Sequence, residues 1–304
     1  MCANCGCQGG KAVMLDLQTG ETTPISADER ESGARHSHAH DHDHAHDDAH
    51  AHNHGDRHRH RPHDHSAAGH SHSHRAELGA AVDLVEVEAR ILAKNDAMAE
   101  KNRAWFAGRE ILALNLVSSP GAGKTTLLER TIRDFSDDFP FYVIEGDQAT
   151  ANDGERIRAA GAPVVQVNTG TGCHLDAGMV TRALAALKPG PGAVVLIENV
   201  GNLVCPALFD LGERAKVVIF SVTDGEDKPL KYPHMFRAAG IVILSKIDLL
   251  PHLDFSVAQA IGNVKKVNPD VTILQVSARG GEGMAAWHDR LDSQFAAARR
   301  SAFA

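Results

Sequence analysis

Residues 115–126 read Asn115-Leu116-Val117-Ser118-Ser119-Pro120-Gly121-Ala122-Gly123-Lys124-Thr125-Thr126. An apolar run at 111–117 leads into this segment, and a helical pattern at 125–135 leads out of it. Glycines between a strand and a helix let the backbone fold tightly enough for its N–H groups to converge on phosphate oxygens, and the helix N-terminus adds partial positive charge. In such a loop Lys124 reaches the β- and γ-phosphates and the Thr125 hydroxyl ligates Mg2+, while Gly121, Ala122, Gly123 and Thr126 complete the cradle. Against the pattern G-x-x-x-x-G-K-[ST] there is one departure. Ser118 stands at the first glycine position, which is tolerable only where the backbone does not need a positive φ.

The strand–helix rhythm continues outward from this loop. Residues 141–144, 164–167, 194–197, 217–222, 241–244 and 272–276 read as further buried strands, with helical patterns such as 284–298 between or after them. That alternation predicts an α/β fold with a mainly parallel sheet flanked by helices on both faces. Before the first strand, Leu78, Val82, Val85, Ala89 and Leu92 recur at helical spacing and predict one amphipathic helix.

The N-terminal quarter is a different polymer. Residues 36–74 hold sixteen of the twenty histidines and no Val, Ile, Leu, Met, Phe, Trp or Tyr. Such a tract cannot bury enough apolar surface to offset the entropy of ordering, so it is expected to be disordered when metal-free. The chain therefore divides into a cysteine motif with a polar, irregular segment (1–35), a His-rich disordered tract (36–75) and a nucleotide-binding domain with an N-terminal helix (76–304). The last of these, about 230 residues, suits one α/β domain. A net charge of −8 without a Lys/Arg-rich patch argues against nucleic acid as the main partner. No apolar run approaches the ~20 residues of a membrane span, and the first residues lack the order of a signal peptide. The expected location is the reducing cytoplasm, with no membrane insertion.

Three further segments lie at predicted strand ends, where open α/β sheets bind ligands. Ser245-Lys246-Ile247-Asp248 resembles the guanine-reading motif Asn-Lys-x-Asp: Asp248 accepts from the base and the Lys246 stem packs on the ring. Ser245 replaces the usual Asn, which weakens the tie to neighbouring loops. Val276-Ser277-Ala278 resembles the second base-contacting loop and places Ser277 and Ala278 at the nucleotide. Glu198-Asn199-Val200-Gly201 supplies a carboxylate for Mg2+ or its water, with Asp147 of Glu145-Gly146-Asp147 as a second metal-shell candidate. The position that often orients water carries Asn202, one methylene shorter than Gln, and no arginine finger is identifiable, so slow intrinsic GTP hydrolysis is expected. Lys124, Asp147, Glu198 and Asn202 are the catalytic candidates.

Five cysteines make a poor disulfide framework and a plausible set of metal thiolates. Cys2, Cys5 and Cys7 crowd three thiols around Gly6 and can wrap one borderline-soft ion, although thiolates alone do not select nickel over zinc or copper. The histidine tract reads as a metal buffer, or else as a solubilising tail that charges on acidification. Cys173-His174 and Cys205 form a third set. Adjacent residues in extended chain point opposite ways, so one ion gripping both Cys173 and His174 requires a turn, or a site shared between two molecules. An isolated Cys205 would ordinarily be a buried thiol, but it lies on the segment expected to respond to the γ-phosphate.

Taken together, Met1 to Cys7, the histidine tract, the phosphate loop, Glu145-Gly146-Asp147-Gln148, Gly172-Cys173-His174-Leu175-Asp176, residues 198–206, residues 227–233 and Ser245-Lys246-Ile247-Asp248 resemble the hydrogenase nickel-incorporation GTPases, the HypB family. The resemblance covers essentially the whole chain. It implies a SIMIBI-class P-loop NTPase fold, GTP/GDP with Mg2+, GTP-dependent homodimerisation, and nickel delivery to the [NiFe]-hydrogenase large subunit with a small zinc-containing nickel chaperone. It also implies a high-affinity nickel site at Cys2, Cys5 and Cys7, and a weaker Ni2+ or Zn2+ site at Cys173, His174 and Cys205 on the dimer interface. The rival readings are a urease-type nickel accessory GTPase and a nickel or zinc storage protein with a regulatory nucleotide domain.

Overall fold

Every residue of Leu112–Ser118 is buried, which only a central strand covered on both faces allows. The structure, a computed structural model, describes residues 12–25, 75–147, 152–170 and 172–301. Their elements in chain order are β1 (Val13–Asp16), β2 (Thr22–Pro24), α1 (Arg75–Ala107), β3 (Leu112–Ser118), α2 (Lys124–Phe135), β4 (Phe141–Asp147), α3 (Asn152–Ala159), β5 (Val164–Asn168), α4 (Ala177–Leu187), β6 (Val194–Glu198), α5 (Cys205–Leu208), β7 (Ala215–Ser221), α6 (Lys228–Lys231), α7 (Pro233–Ala238), β8 (Ala239–Ser245), α8 (Val257–Val267), β9 (Thr272–Val276) and α9 (Met284–Ser301). A 3-10 turn, Ile247–His252, follows β8.

The strands form one sheet in the order β2-β1-β5-β4-β6-β3-β7-β8-β9. All seven strands expected from the apolar runs form, and all pair in parallel. Their side chains alternate between faces. Leu112, Leu114 and Leu116 of β3 join α2 and α9 through Leu127, Ile132, Trp287 and Leu291. Ala113 packs on the opposite face with Phe106, Val180 and Leu184 of α1 and α4. A third cluster packs α7 and α8 against β7 and β8 through Phe220, Leu244, Phe236 and Val264.

Two expectations change. Residues 12–25, expected to be irregular, fold as the hairpin β1–β2, whose β1 pairs antiparallel with β5, Val13 opposite Asn168. The run Val13-Met14-Leu15 is too short to announce a strand; β5 makes it one by offering an unpaired edge. The helix α1 forms, but its expected stripe is not its buried face. Ala89 is exposed and Leu92 half-buried, while Asn95, Ala99, Asn102 and Phe106 are buried; the side chains of Leu78, Val82 and Val85 lie outside the described residues. Hydrogen bonds set that face. Asn102 Nδ2 donates to the carbonyls of Ala177 and Leu211 at 2.9 and 3.0 Å, and Asn95 Nδ2 donates to Asp210 O at 2.8 Å. The loop can lie this close because residue 212 is glycine: with φ +87° it brings its backbone where a Cβ would sit 2.5 Å from Ala99 O.

The histidine tract and Met1 to Cys7 lie outside the described residues. Contacts divide the chain into two units, residues 1–27 with 86–304, and residues 28–85. The hairpin thus belongs to the same unit as the nucleotide-binding sheet.

Candidate nucleotide and metal site

The phosphate loop is built as its residue types require. Gly121 and Gly123 carry φ +73° and +97°, whereas Ser118 completes β3 and needs no left-handed backbone. Ser118 is therefore compatible with the fold, and its Oγ accepts a 3.3 Å hydrogen bond from Lys124 Nζ. The Thr125 hydroxyl donates to Glu198 Oε1 at 2.8 Å, and Lys124 Nζ lies 4.0 Å from the same oxygen.

A cleft of about 520 Å³ opens above this loop, lined also by Glu145, Asp147, Arg156 and Glu198. Glu145 and Glu198 are register partners on β4 and β6, each 3% exposed. Burial pushes the Glu145 pKa up to about 9, helped by the negative charges of Glu198, Asp147 and Asp153. Burial raises that of Glu198 to about 7 against the opposing pull of Lys124 and the Thr125 hydroxyl. One oxygen of each carboxylate, Oε2, is buried without a hydrogen-bond partner. Orphaned carboxylate oxygens beside a threonine hydroxyl make an all-oxygen donor set, which fits a hard divalent cation such as Mg2+.

At the far end of the loop a second cleft of about 380 Å³ is lined by Gly123, Thr126, Ser245, Lys246, Asp248 and Ala278. Lys246 adopts φ +61° and spans the loop to donate to Gly121 O at 2.6 Å. Ser245 does keep a tie to the neighbouring loop, donating to Ala122 O at 2.8 Å. Ser277 is fully buried and does not line the cleft. It donates to Asp248 Oδ1 at 2.6 Å and so holds that carboxylate in place.

The cysteine set comes together within one chain. A bend at Cys173-His174 overcomes the opposed directions of neighbouring side chains. Cys173 Sγ then lies 2.9 Å from Cys205 Sγ and 3.7 Å from His174 Nδ1, and all three ligand atoms fall within 4.8 Å of one another. The His174 ring rests on Phe209 at 3.9 Å. Burial lowers its pKa, against Asp176, which favours the neutral imidazole that metals bind.

Asn202 departs from its expected place. Its Nδ2 donates to Cys173 O at 3.4 Å and its Oδ1 accepts from Val204 N; it faces the cysteine loop and does not line the phosphate cleft. Two cleft residues escaped the sequence reading. Glu145 sat unremarked beside Asp147, and Arg156 of α3 reaches Glu129 at 2.8 Å and Thr126 at 3.4 Å across the cleft wall. Glu145 could have been found: a carboxylate ending an apolar strand at the ligand-binding edge is the signal that singled out Glu198.

Residues 112–275 match the family described as CobW/HypB/UreG, nucleotide-binding domain. The chain is 56% identical over 211 residues to the hydrogenase maturation factor HypB of Escherichia coli K12, covering 69% of this chain and 73% of that protein. It is 58% identical over 218 residues to the hydrogenase maturation factor HypB of Rhizobium leguminosarum bv. viciae, covering 72% of each. The crystal structure of HypB from Helicobacter pylori in complex with nickel superposes with a TM-score of 0.63 at 38% identity, over 66% of this chain and 95% of that one.

Proposed function

Because this chain belongs to the HypB family of CobW/HypB/UreG nucleotide-binding proteins and is a SIMIBI-class GTPase, we propose that it uses the GTP cycle to load and release nickel during hydrogenase maturation. One observation carries the reading: two thiols and an imidazole converge within 4.8 Å on loops leaving the same sheet edge as the phosphate loop. Nickel is the cargo, and soft thiolates with an imidazole suit a borderline ion such as Ni2+ or Zn2+.

In this scheme Lys124 and the N–H groups of residues 121–126 hold the phosphates, and Lys246, Asp248 and Ala278 hold guanine, with Ser277 orienting Asp248. Thr125, Asp147 and Glu198 would hold Mg2+, which supplies positive charge against the transferring phosphoryl oxygens. Asn202 is turned to the cysteine loop, which supports slow hydrolysis until a partner or a loop movement supplies the water-orienting group. Closed zinc sites and square-planar nickel sites take four ligands, and one chain's triad supplies three. Exposed Val204 and Leu208, on either side of Cys205, favour a second copy as the source of the fourth, hence a GTP-dependent homodimer. Cys2, Cys5 and Cys7 serve as a separate nickel site and the histidine tract as a reservoir. The receiving partners are a small zinc-containing nickel chaperone and the [NiFe]-hydrogenase large subunit, in the cytoplasm; among the described residues no helix is long and apolar enough to cross a membrane.

Hydrogenase activity in cells carrying Cys173→Ala with Cys205→Ala tests the proposal. Activity should disappear in low-nickel medium. Full activity there would remove the triad from the function.

A further inference from the structure

A polar chain runs from the wall of the phosphate cleft, which Asn199 lines, into the core. Asn115 sits at the centre of β3 and Asn199 immediately after Glu198; they are 0% and 1% exposed. Asn115 Nδ2 donates to Glu213 Oε1 at 3.0 Å. Glu213 also accepts from Leu211 N at 2.7 Å and pairs with Lys216 Nζ at 3.3 Å. Asn199 Nδ2 donates to Asn115 Oδ1 at 3.2 Å. Asn199 Oδ1 accepts from Leu175 N at 3.1 Å and from Val200 N at 3.0 Å.

The carboxylate sets the polarity of the whole series. The Lys216 ammonium beside Glu213 Oε1 marks that oxygen as an acceptor, so Asn115 must turn its NH2 toward it and its oxygen toward Asn199. Asn199 must then donate to Asn115, which leaves its oxygen for the two backbone N–H groups. Rotating Asn199 by half a turn would set an NH2 against two buried donors, at the cost of unsatisfied polar groups.

The two donors are the telling part. Val200 lines the phosphate cleft, and the glycine after it touches the phosphate loop: a Cβ on Gly201 would lie 3.3 Å from Pro120 Cα. Leu175 directly follows Cys173-His174. Its fully buried side chain packs on Gly146, at the cleft end of β4, where a Cβ would sit 2.8 Å from Leu175 Cγ. One amide oxygen therefore holds the loop at the wall of the phosphate cleft and the Cys173-His174 loop together. Further contacts between those loops are only partly buried: Asn202 Nδ2 donates to Cys173 O at 3.4 Å, and Cys173 Sγ lies 2.9 Å from Cys205 Sγ.

We infer that Asn199 is the positioning residue that couples the nucleotide to the metal triad, transmitting movement of residues 198–201 to Cys173 and His174 through Leu175 N. This rests on the nucleotide–nickel linkage proposed above and names the residue that carries it. A shift of Val200 toward or away from a phosphate drags the shared oxygen. Leu175 N must follow or lose its only acceptor in that series, and the geometry of Cys173 and His174 relative to Cys205 changes with it.

The test uses the full chain with Cys2, Cys5 and Cys7 replaced by alanine, so that the thiolate-to-nickel charge-transfer absorption reports Cys173 and Cys205 alone and the histidine tract is silent. Nickel affinity is measured from that band by chelator competition, with GDP and with a non-hydrolysable GTP analogue, and the ratio of the two affinities is the coupling. Asn199→Ala should bring the ratio to within about twofold of one. Asn199→Asp keeps the acceptor oxygen for Leu175 N and Val200 N, and its buried carboxyl, in the protonated form, donates to Asn115 Oδ1 as Nδ2 does, so it should retain most of the parent ratio, which a merely structural role would not predict. A parent ratio of one would overturn the nucleotide–nickel linkage, and the relay with it. A clear parent ratio that survives in Asn199→Ala would overturn the relay alone. Should Asn199→Ala fail to fold, Asn199→Asp decides: a collapsed ratio in a variant that still binds GDP shows that the acceptor oxygen is not the coupling element.

Discussion

The phosphate cleft and the cysteine triad lie on one edge of one sheet, yet they are built in opposite ways. The cleft is made largely of backbone: one contiguous loop between a fully buried strand and a 12-residue helix, closed by carboxylates only 3% exposed. The triad is three partly buried side chains from two loops, with Cys205 opening a helix of only 4 residues. In a site of the first kind the phosphate loop is pre-organised by its flanking strand and helix, so that movement on ligand exchange falls to its wall, residues 198–201 in the proposed relay. A site of the second kind has no long element to hold its ligand atoms apart or together. Small loop movements can therefore open or close it, as a protein that must surrender its metal requires.

Three perturbations test that contrast. Lys124→Ala has the largest expected effect, lowering kcat/KM for GTP by about 10²- to 10³-fold while nucleotide-free protein keeps the nickel–thiolate band. Loss of that band would mean the two regions are not separable. Cys205→Ala should weaken nickel binding at the triad by at least about 100-fold, beyond the range for an outer-shell partner. GDP affinity, measured by titration of a fluorescent analogue, should stay within about twofold.

The smallest effect concerns pH. Glu145 and Glu198 have folded pKa values raised to about 9 and about 7 from an ordinary 4.5. Between these limits the folded chain holds more protons than the unfolded one, so the metal-free, nucleotide-free protein loses stability as pH rises from 4.5 through about 9. Glu145→Gln removes the higher-titrating partner. It should raise the Tm at pH 8 by about 2–4 °C, equivalent to about 1 kcal/mol, and flatten the slope of Tm against pH. An unchanged slope would show that Glu145 is solvated and not part of the cleft.

Legibility followed the same divide. The phosphate loop and all seven parallel strands could be read directly because glycine, lysine and apolar periodicity act locally along the chain. The hairpin at 12–25 could not, since Val13–Asp16 is a strand only against the free edge of β5. The buried face of α1 is not legible in the sequence for a related reason. Apolar spacing pointed to Ala89 and Leu92, but Asn95 and Asn102 won that face through hydrogen bonds to residues 177, 210 and 211. Asn115, a lone amide among the apolar residues 112–117, is a visible trace of the buried polar chain. Asn202 seemed to belong to the phosphate by position alone, and its partner turned out to be Cys173.

Residue order alone places a glycine-rich loop ending in Lys124-Thr125 between a strand and a helix, a Ser-Lys-x-Asp segment after a later strand, and dense groups of Cys and His near the N-terminus, because each depends on residue types at short spacing. Only the folded sheet decided that Cys173, His174 and Cys205 meet in one place, that Ser277 serves Asp248, and that an asparagine oxygen is shared by the nucleotide loop and the metal loop. Those arrangements arise from strands adjacent in the sheet but distant in the chain, and from buried polar groups that must find partners wherever packing leaves them.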